Sequence, residues 1–518
     1  MTKFYKLFTA ILAFFALATP AAAQDAAMSL DAKVNAAFAS FTGPFVNFIF
    51  APIPGTSFPW IVMWLVIGAS IFTIYFTFVQ FRYFGHAISL VKGDYSNPDD
   101  AGEVSHFQAL ATALSGTVGL GNIAGVAVAV GIGGPGATFW MILAGLLGMA
   151  SKFTECTLGV KYRNEYPDGT VSGGPMYYLS KGFDELGLPG GKILAILFSI
   201  FCILGALGGG NMFQANQAHA QITQITGDYP GWITGIIFAG VVFAVIVGGI
   251  KSIAKVTEKV VPFMGVLYVG AAAMVLLVNY DQIGWAFGQI FAGAFTGLGV
   301  AGGFVGALIQ GFKRAAFSNE AGVGSAAIAH SAVKTKEPIT EGFVSLLEPL
   351  IDTVVICTMT ALVITISGQL IWDAELGTYI LNEAGTAIAT VDGNSGVALT
   401  SAAFGSAISW FPYVLAIAVI LFAFSTMISW SYYGLKAWTY LFGEGKTSEL
   451  VFKIIFCVFI VIGAAASLGP VIDFSDAAIF AMAVVNIFCL YFLMKVVRAE
   501  LISYTSRLKS GEIKKFSH

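Results

Sequence analysis

Two stretches decide how this chain is read: Ser115-Gly-Thr-Val-Gly-Leu-Gly-Asn122 and Ser318-Asn-Glu-Ala-Gly-Val-Gly-Ser325. Both follow S-x-x-x-G-x-G-[N/S], and each lies inside a long apolar run. Glycine costs a helix roughly 0.8–1 kcal/mol relative to alanine. Local unwinding also frees backbone N–H and C=O groups that hydrocarbon cannot satisfy. A broken helix therefore survives in a bilayer only where it lines a cavity, with a ligand supplying the missing partners. Close packing of small residues is the simpler use of membrane glycines, and it suits Gly145 and Gly148. The embedded Asn and Ser, and the recurrence of the pattern, favour a binding role for the two motifs.

The surrounding composition supports a membrane setting. Of 518 residues, 57% are hydrophobic and only 11% charged, with 60 glycines. A soluble domain carries roughly 25% charged residues. Mean hydropathy is +0.81. Such a chain cannot hide its apolar surface in a water-soluble ball, which excludes a soluble enzyme. Disorder and nucleic-acid binding are excluded as well, since both need polarity or strong positive charge, and the net charge is −3. The cysteines (Cys156, Cys202, Cys357, Cys457, Cys489) sit singly in apolar runs and read as small core residues. The chain reads as an all-α polytopic membrane protein.

Lys3 and Lys6, an apolar run from Leu7 to Ala18 and Ala21-Ala-Ala23 form the pattern of a secretory signal peptide over 1–23. The run is too short to span a bilayer. Residues 24–58 then form an external, periplasmic segment. Spans of about 20 apolar residues follow at 59–81, 106–131, 136–160, 193–221, 232–250, 260–279, 303–330, 343–367, 404–432, 450–469 and 475–495. Lys and Arg test this count. They fall in alternate loops: Arg82 and Lys92, Lys161 to Lys192, Lys251 to Lys259, Lys334 and Lys336, Lys436 and Lys446, then the tail over 498–518. The intervening loops, including 368–403, hold neither. Eleven transmembrane helices follow, with the N-terminus outside and the C-terminus cytoplasmic in a bacterial inner membrane.

After the extra helix at 59–81, five spans fill 104–280 and five fill 303–497, and one broken helix opens each set. Five is odd, so the halves are inverted: a 5+5 inverted repeat with two discontinuous helices, the sequence pointer to a transporter's central site. Thr117-Val-Gly-Leu-Gly121 also resembles a potassium-filter strand. A cation channel is therefore the alternative, although a filter needs four-fold repetition. An intramembrane enzyme is weaker still, for no Ser–His pair, paired Asp or H-E-x-x-H set is present.

Several long motifs resemble the alanine or glycine:cation (sodium) symporter family. They are Ala113-Leu-Ser-Gly-Thr-Val-Gly-Leu-Gly-Asn-Ile-Ala-Gly-Val126, Gly133-Gly-Pro-Gly-Ala-Thr-Phe-Trp-Met141, Gly148-Met-Ala-Ser-Lys-Phe-Thr-Glu-Cys156, Phe317-Ser-Asn-Glu-Ala-Gly-Val-Gly-Ser325, and Phe424-Ser-Thr426 with Trp430. The likeness runs over about 60–495. It implies the inverted-repeat fold of the leucine transporter, with Na⁺ or H⁺ driving uptake of alanine, glycine or a similar small amino acid. The chain departs from the family pattern at Thr138, at Ile142 and at Leu120, where threonine is more usual; the last bears on amino-acid choice.

A small zwitterion needs donors for its carboxylate, acceptors for its ammonium and a pocket of matching size. The first break, with Thr117, Leu120 and Gly121, offers N–H groups at the start of a half-helix. The second, with Asn319 and Gly322, offers carbonyls. Asn211, Gln214, Gln217, Gln221 and Gln224 make one helix face of amides, costly in a bilayer unless it lines water or substrate. Gln214 lies nearest mid-membrane. By resemblance Gln214, Phe317 and Trp430 wall the substrate. Hydroxyls of Ser425 and Thr426 with carbonyls of Phe422, Ser115 and Val118 would cage Na⁺, as in the family's fold; Ser and Thr bonding back to their own helix is the simpler alternative. Among the charges, Arg314 is expected to pair with Glu320 or neutralise the site, Lys152 with Glu155 at the surface, and Glu348 and Asp352 to share a face. The histidines show no clustering with other ligands.

Overall fold

The computed structural model describes residues 40, 42–97, 99–167, 169–296 and 303–515. The signal-peptide reading and the first part of 24–58 lie outside them. The protein is mostly helical: α1 (Trp60–Tyr75), α2 (His106–Thr117), α3 (Gly121–Gly133), α4 (Ala137–Lys161), α5 (Gly191–Thr226), α6 (Gly231–Ile246), α7 (Gly249–Val278), α8 (Gly303–Asn319), α9 (Ser325–His330), α10 (Pro338–Ile366), α11 (Val397–Ala407), α12 (Phe411–Phe442), α13 (Lys446–Ala465) and α14 (Leu468–Ser510). Among the described residues, seven helices are long and apolar enough to cross a bilayer, or eight when α2 and α3 count as one bent span. α1 and α6, at 16 residues each, are shorter than the expected spans over 59–81 and 232–250.

Both breaks occur where the glycine motifs place them. α2 starts on a capping box in which Ser105 accepts the Gln108 N–H at 3.2 Å and Gln108 accepts the Ser105 N–H at 3.1 Å. It stops where Val118 leaves the helical region (φ −74°, ψ 82°), and α3 leaves at 49° to it. α8 stops where Glu320 takes φ 55°, and Gly322 and Gly324 follow at φ 84° and 90° before α9 begins. Three wide π-helical turns lie in the same region: Gly121–Gly125, Gly208–Met212 and Leu350–Cys357. Such turns recur at functional sites because they re-aim side chains without ending a helix.

Packing sorts the helices. The most apolar stretch of α14 is 72% buried, that of α7 only 28%. Ile236, Ile237, Phe263, Val266, Leu277, Ile454 and Val458 stand exposed on α6, α7 and α13. An apolar exterior of that kind suits hydrocarbon, not water. All five cysteines are free, and all but the half-buried Cys457 are buried.

Some expected boundaries move. The span expected over 404–432 is two elements: α11 ends at Ala407, Ile408 is extended, and α12 runs from 411 to 442. Pro412 therefore sits in a first turn, where its missing N–H costs nothing, and does not kink the helix. The acidic stretch after α10 contains a small hairpin, Trp372–Asp373 against Thr378–Tyr379. α14 extends well past 495, so Arg498 and Arg507 ride on helix.

A candidate binding site between two broken helices

The first break is held by one of its own side chains and by one from a distant helix. Gly119 N–H bonds Asn122 Oδ1 at 2.9 Å, and Leu120 N–H bonds Gln214 Oε1 at 3.0 Å. Gln214 Nε2 donates back to Gly209 O at 2.9 Å, across the π-turn of α5. One buried amide thus satisfies a freed donor and a freed acceptor, the requirement that opened the sequence argument.

Around this point lies a cavity with about 220 Å³ of space free of atoms, lined by Gly116, Thr117, Gly121, Gly209, Gln214, Phe317, Glu320, Trp430 and Ile479. That figure includes open space at its mouth; only about 10 Å³ takes the centre of a water-sized sphere, so the cavity is nearly filled by its own side chains. The Phe317 ring stands edge-on to Phe213 at 5.1 Å. Trp430 Nε1 donates to Glu320 Oε1 at 2.9 Å, and its ring meets Tyr433 edge-on at 5.4 Å. Gly210 is required here, because a Cβ would overlap the Trp430 ring.

Five of the expected substrate residues share this cavity: Thr117, Gly121, Gln214, Phe317 and Trp430. Three do not line it. Leu120 contributes its N–H to Gln214 while its side chain is buried in the core. Asn319 turns to α10, donating to Thr353 Oγ1 at 2.9 Å, and accepts the Ala321 N–H at 3.0 Å. Gly322 is held from behind by Glu155 Oε1 (3.0 Å) and Asn486 Nδ2 (2.9 Å). Sequence reasoning missed Gly116, Gly209 and Ile479 as lining residues and left Glu320 as a partner of Arg314. The run Gly208-Gly-Gly210 directly before the amide face was the available signal for Gly209. Nothing marked Ile479, which arrives from the far end of the chain. Of the amide face only Gln214 reaches the cavity. Asn211 donates to Phe456 O at 2.7 Å, Gln217 accepts the Val397 N–H at 2.9 Å, and Gln221 donates to Ser401 Oγ at 3.0 Å, so these tie α5 to its neighbours.

Beside the cavity, α12 presses against the end of α2. Thr426 Oγ1 donates to Ser115 O at 3.0 Å, Ser115 Oγ to Ser425 O at 2.6 Å, and Ser425 Oγ to Phe422 O at 3.1 Å. Val118, the next residue of the break, is buried with them. Gly119 permits the approach, since a Cβ there would overlap Thr426 Oγ1. The cluster is uncharged and rich in oxygen, the donor set a desolvated Na⁺ accepts.

The buried charges differ from expectation. Arg314 pairs with Asp476 of α14, as does Lys313 at 3.0 Å, and neither pairs with Glu320. Lys152, expected at the surface, is fully buried and pairs with Glu348 at 3.1 Å. Glu155 bonds Gly322 N–H and Asn486 instead. Glu348 and Asp352 have different company: Glu348 also bonds His330 Nε2 at 2.7 Å, whereas Asp352 accepts from Asn122 Nδ2 (2.7 Å), Ser318 Oγ (2.9 Å) and Thr353. The histidines do cluster with other ligands. Glu341 bonds both His106 and His330, and atoms of Cys156, His330 and Glu348 lie within 4.8 Å of one another. Sequence spacing hid this, because the partners come from α2, α4, α9 and α10. Lys152 already balances Glu348, so the cluster reads as a charge network.

The model of the sodium:alanine symporter family matches residues 44–518. The sodium/alanine symporter AgcS of Methanococcus maripaludis is 39% identical over 462 residues, covering 88% of this chain and 97% of its own. The probable sodium/glutamine symporter GlnT of Bacillus subtilis is 34% identical over 456 residues, covering 86% and 89%. Among solved structures, MhsT in complex with L-phenylalanine superposes with a TM-score of 0.52 at 15% identity, covering 78% of this chain and 99% of that one. That likeness extends to the fold, of the leucine-transporter type.

Proposed function

The chain belongs to the sodium:alanine symporter family, and on that premise we propose that it couples inward Na⁺ flow to uptake of alanine, glycine or a similarly small amino acid. Membership of this family makes it a multi-pass membrane transporter and not an enzyme. The observation that carries the choice of a small substrate is the narrow cavity between the two breaks, walled by the bulky rings of Phe317 and Trp430. Relatives named for alanine and for glutamine show that the family name alone does not set substrate size.

In this reading the substrate carboxylate meets the N–H groups at the start of α3, where the helix dipole favours negative charge. The ammonium meets the second break, and Phe317 and Trp430 limit the side chain. Na⁺ enters as co-transported cargo among Ser115, Val118, Phe422, Ser425 and Thr426; the hydroxyl bonds now closing that cluster would give way to the ion. Na⁺ is preferred to H⁺ because these oxygens belong to neutral groups that neither take up nor release a proton. The two broken helices rock against the rest of the bundle, alternately opening the site to each side. The reading keeps eleven spans in a 5+5 inverted repeat, the N-terminus outside and the C-terminus inside a bacterial inner membrane. A filter-type channel is disfavoured by bonding within the motif: Thr117 O accepts the Gly119 N–H at 2.8 Å, and Leu120 O accepts three amides.

Uptake into proteoliposomes tests the proposal. Alanine is expected to accumulate above its external concentration only under an inward Na⁺ gradient and to saturate. Na⁺ flux without any amino-acid dependence overturns it. Thr426→Ala removes one hydroxyl from the cluster and leaves the amino-acid cavity intact. The Na⁺ concentration for half-maximal uptake is expected to rise several-fold, about 1 kcal/mol by tenfold-per-1.4 kcal/mol arithmetic; an unchanged value removes Thr426 from the ion site.

A further inference from the structure

Glu320 is the one carboxylate in the cavity wall. It is nearly fully buried, at 2% exposure, inside a membrane protein. Its backbone is left-handed at φ 55°, a conformation that costs a residue with a side chain on the order of 1 kcal/mol and persists mainly at functional sites. The carboxylate accepts from Trp430 Nε1 at 2.9 Å and from the Ser325 hydroxyl, both neutral donors. Among the described residues it forms no ion pair. Arg314 and Lys152 bond elsewhere: Arg314 to Asp476, and Lys152 to Glu348.

A buried carboxylate in a membrane is expensive unless a positive charge meets it. Here Lys152 acts on Glu320 only from a distance while it bonds Glu348, no cation among the described residues touches the carboxylate, and the carboxylate fronts a narrow cavity. From this we infer that Glu320 is the acceptor for the substrate's α-ammonium, so that the transported amino acid itself supplies the balancing charge. The inference rests on the amino-acid reading above and deepens it. The zwitterion then lies with its ends matched: carboxylate on the α3 N–H groups, ammonium on Glu320. Such a site rejects solutes of equal size that lack an ammonium, because they would leave Glu320 buried and unbalanced. The hydrogen bond to Trp430 joins charge recognition to the wall that limits side-chain size.

The experiment measures ligand binding to purified full-length protein by thermal stabilisation and by competition with radiolabelled alanine, both in Na⁺. Wild type is first tested with alanine and glycine; failure of both to bind overturns the amino-acid reading itself, before any variant is made. Given binding, Glu320→Gln tests the inference alone. Glutamine has the same shape and can still accept from Trp430, so only the charge is removed. Alanine affinity is expected to fall at least 30-fold while stabilisation by Na⁺ alone persists, and Glu320→Asp is expected to keep more affinity than Glu320→Gln. Affinity within about threefold of wild type in Glu320→Gln overturns the inference. Should Glu320→Gln fail to fold, wild type still decides: ethylammonium is expected to displace alanine at least tenfold better than propionate, and equal or weaker displacement overturns the assignment.

Discussion

Lys152→Met is expected to be among the most destabilising single substitutions in the protein, at about 3–5 kcal/mol. The ammonium is fully buried and lies 3.1 Å from Glu348, itself fully buried. Methionine fits the volume but strands a carboxylate between His330 and hydrocarbon-like surroundings. Breaking one side of a buried pair costs far more than replacing both, since the remaining charge has no solvent. The double variant Lys152→Met/Glu348→Gln is therefore expected to recover most of the loss. Thermal unfolding in detergent, followed by the monodisperse fraction, checks both. A single variant as stable as wild type would contradict the pairing, and a double variant no better than the single would contradict the charge argument.

Gln214→Ala carries the second large effect, on binding. The side chain closes two backbone groups at once, Leu120 N–H and Gly209 O. Each unsatisfied buried group costs roughly 1–3 kcal/mol. Without the bridge the first break keeps only its local bonds, such as Gly119 N–H to Asn122, so alanine must order more of the site as it binds. Affinity is expected to fall on the order of 10- to 100-fold, with the helical content unchanged by circular dichroism. Unaltered affinity would return Gln214 to the class of Asn211, Gln217 and Gln221, which only tie helices together.

These two residues also show how far sequence reading reaches. Gln214 was legible because an amide at mid-membrane is costly, and the cost is a property of the residue in its span. Lys152 was misplaced because its span position near the inner end of a helix suggested a solvated pair with Glu155. Its real partner is 196 residues away on α10. Glu320 shows the same limit: proximity along α8 suggested Arg314, whereas Arg314 reaches across to Asp476, 162 residues on. The two histidines that share Glu341 come from opposite halves of the chain, so no spacing rule could pair them.

What the sequence by itself determined is the class of molecule and the location of its two breaks. Bilayer thickness, the cost of unsatisfied backbone and the tally of glycines act locally, and a local rule can be read from a local pattern. Only the tertiary structure decided which polar groups face each other: Gln214 on Leu120, Trp430 on Glu320, and Lys152 on Glu348. Those partnerships depend on how α5, α8 and α12 pack around the breaks and how α4 packs against α10. In a low-dielectric interior each charge or freed amide takes whichever partner the packing brings within about 3 Å. That choice sorted Leu120, Asn319 and Gly322 into supporting positions and left Glu320 facing the cavity.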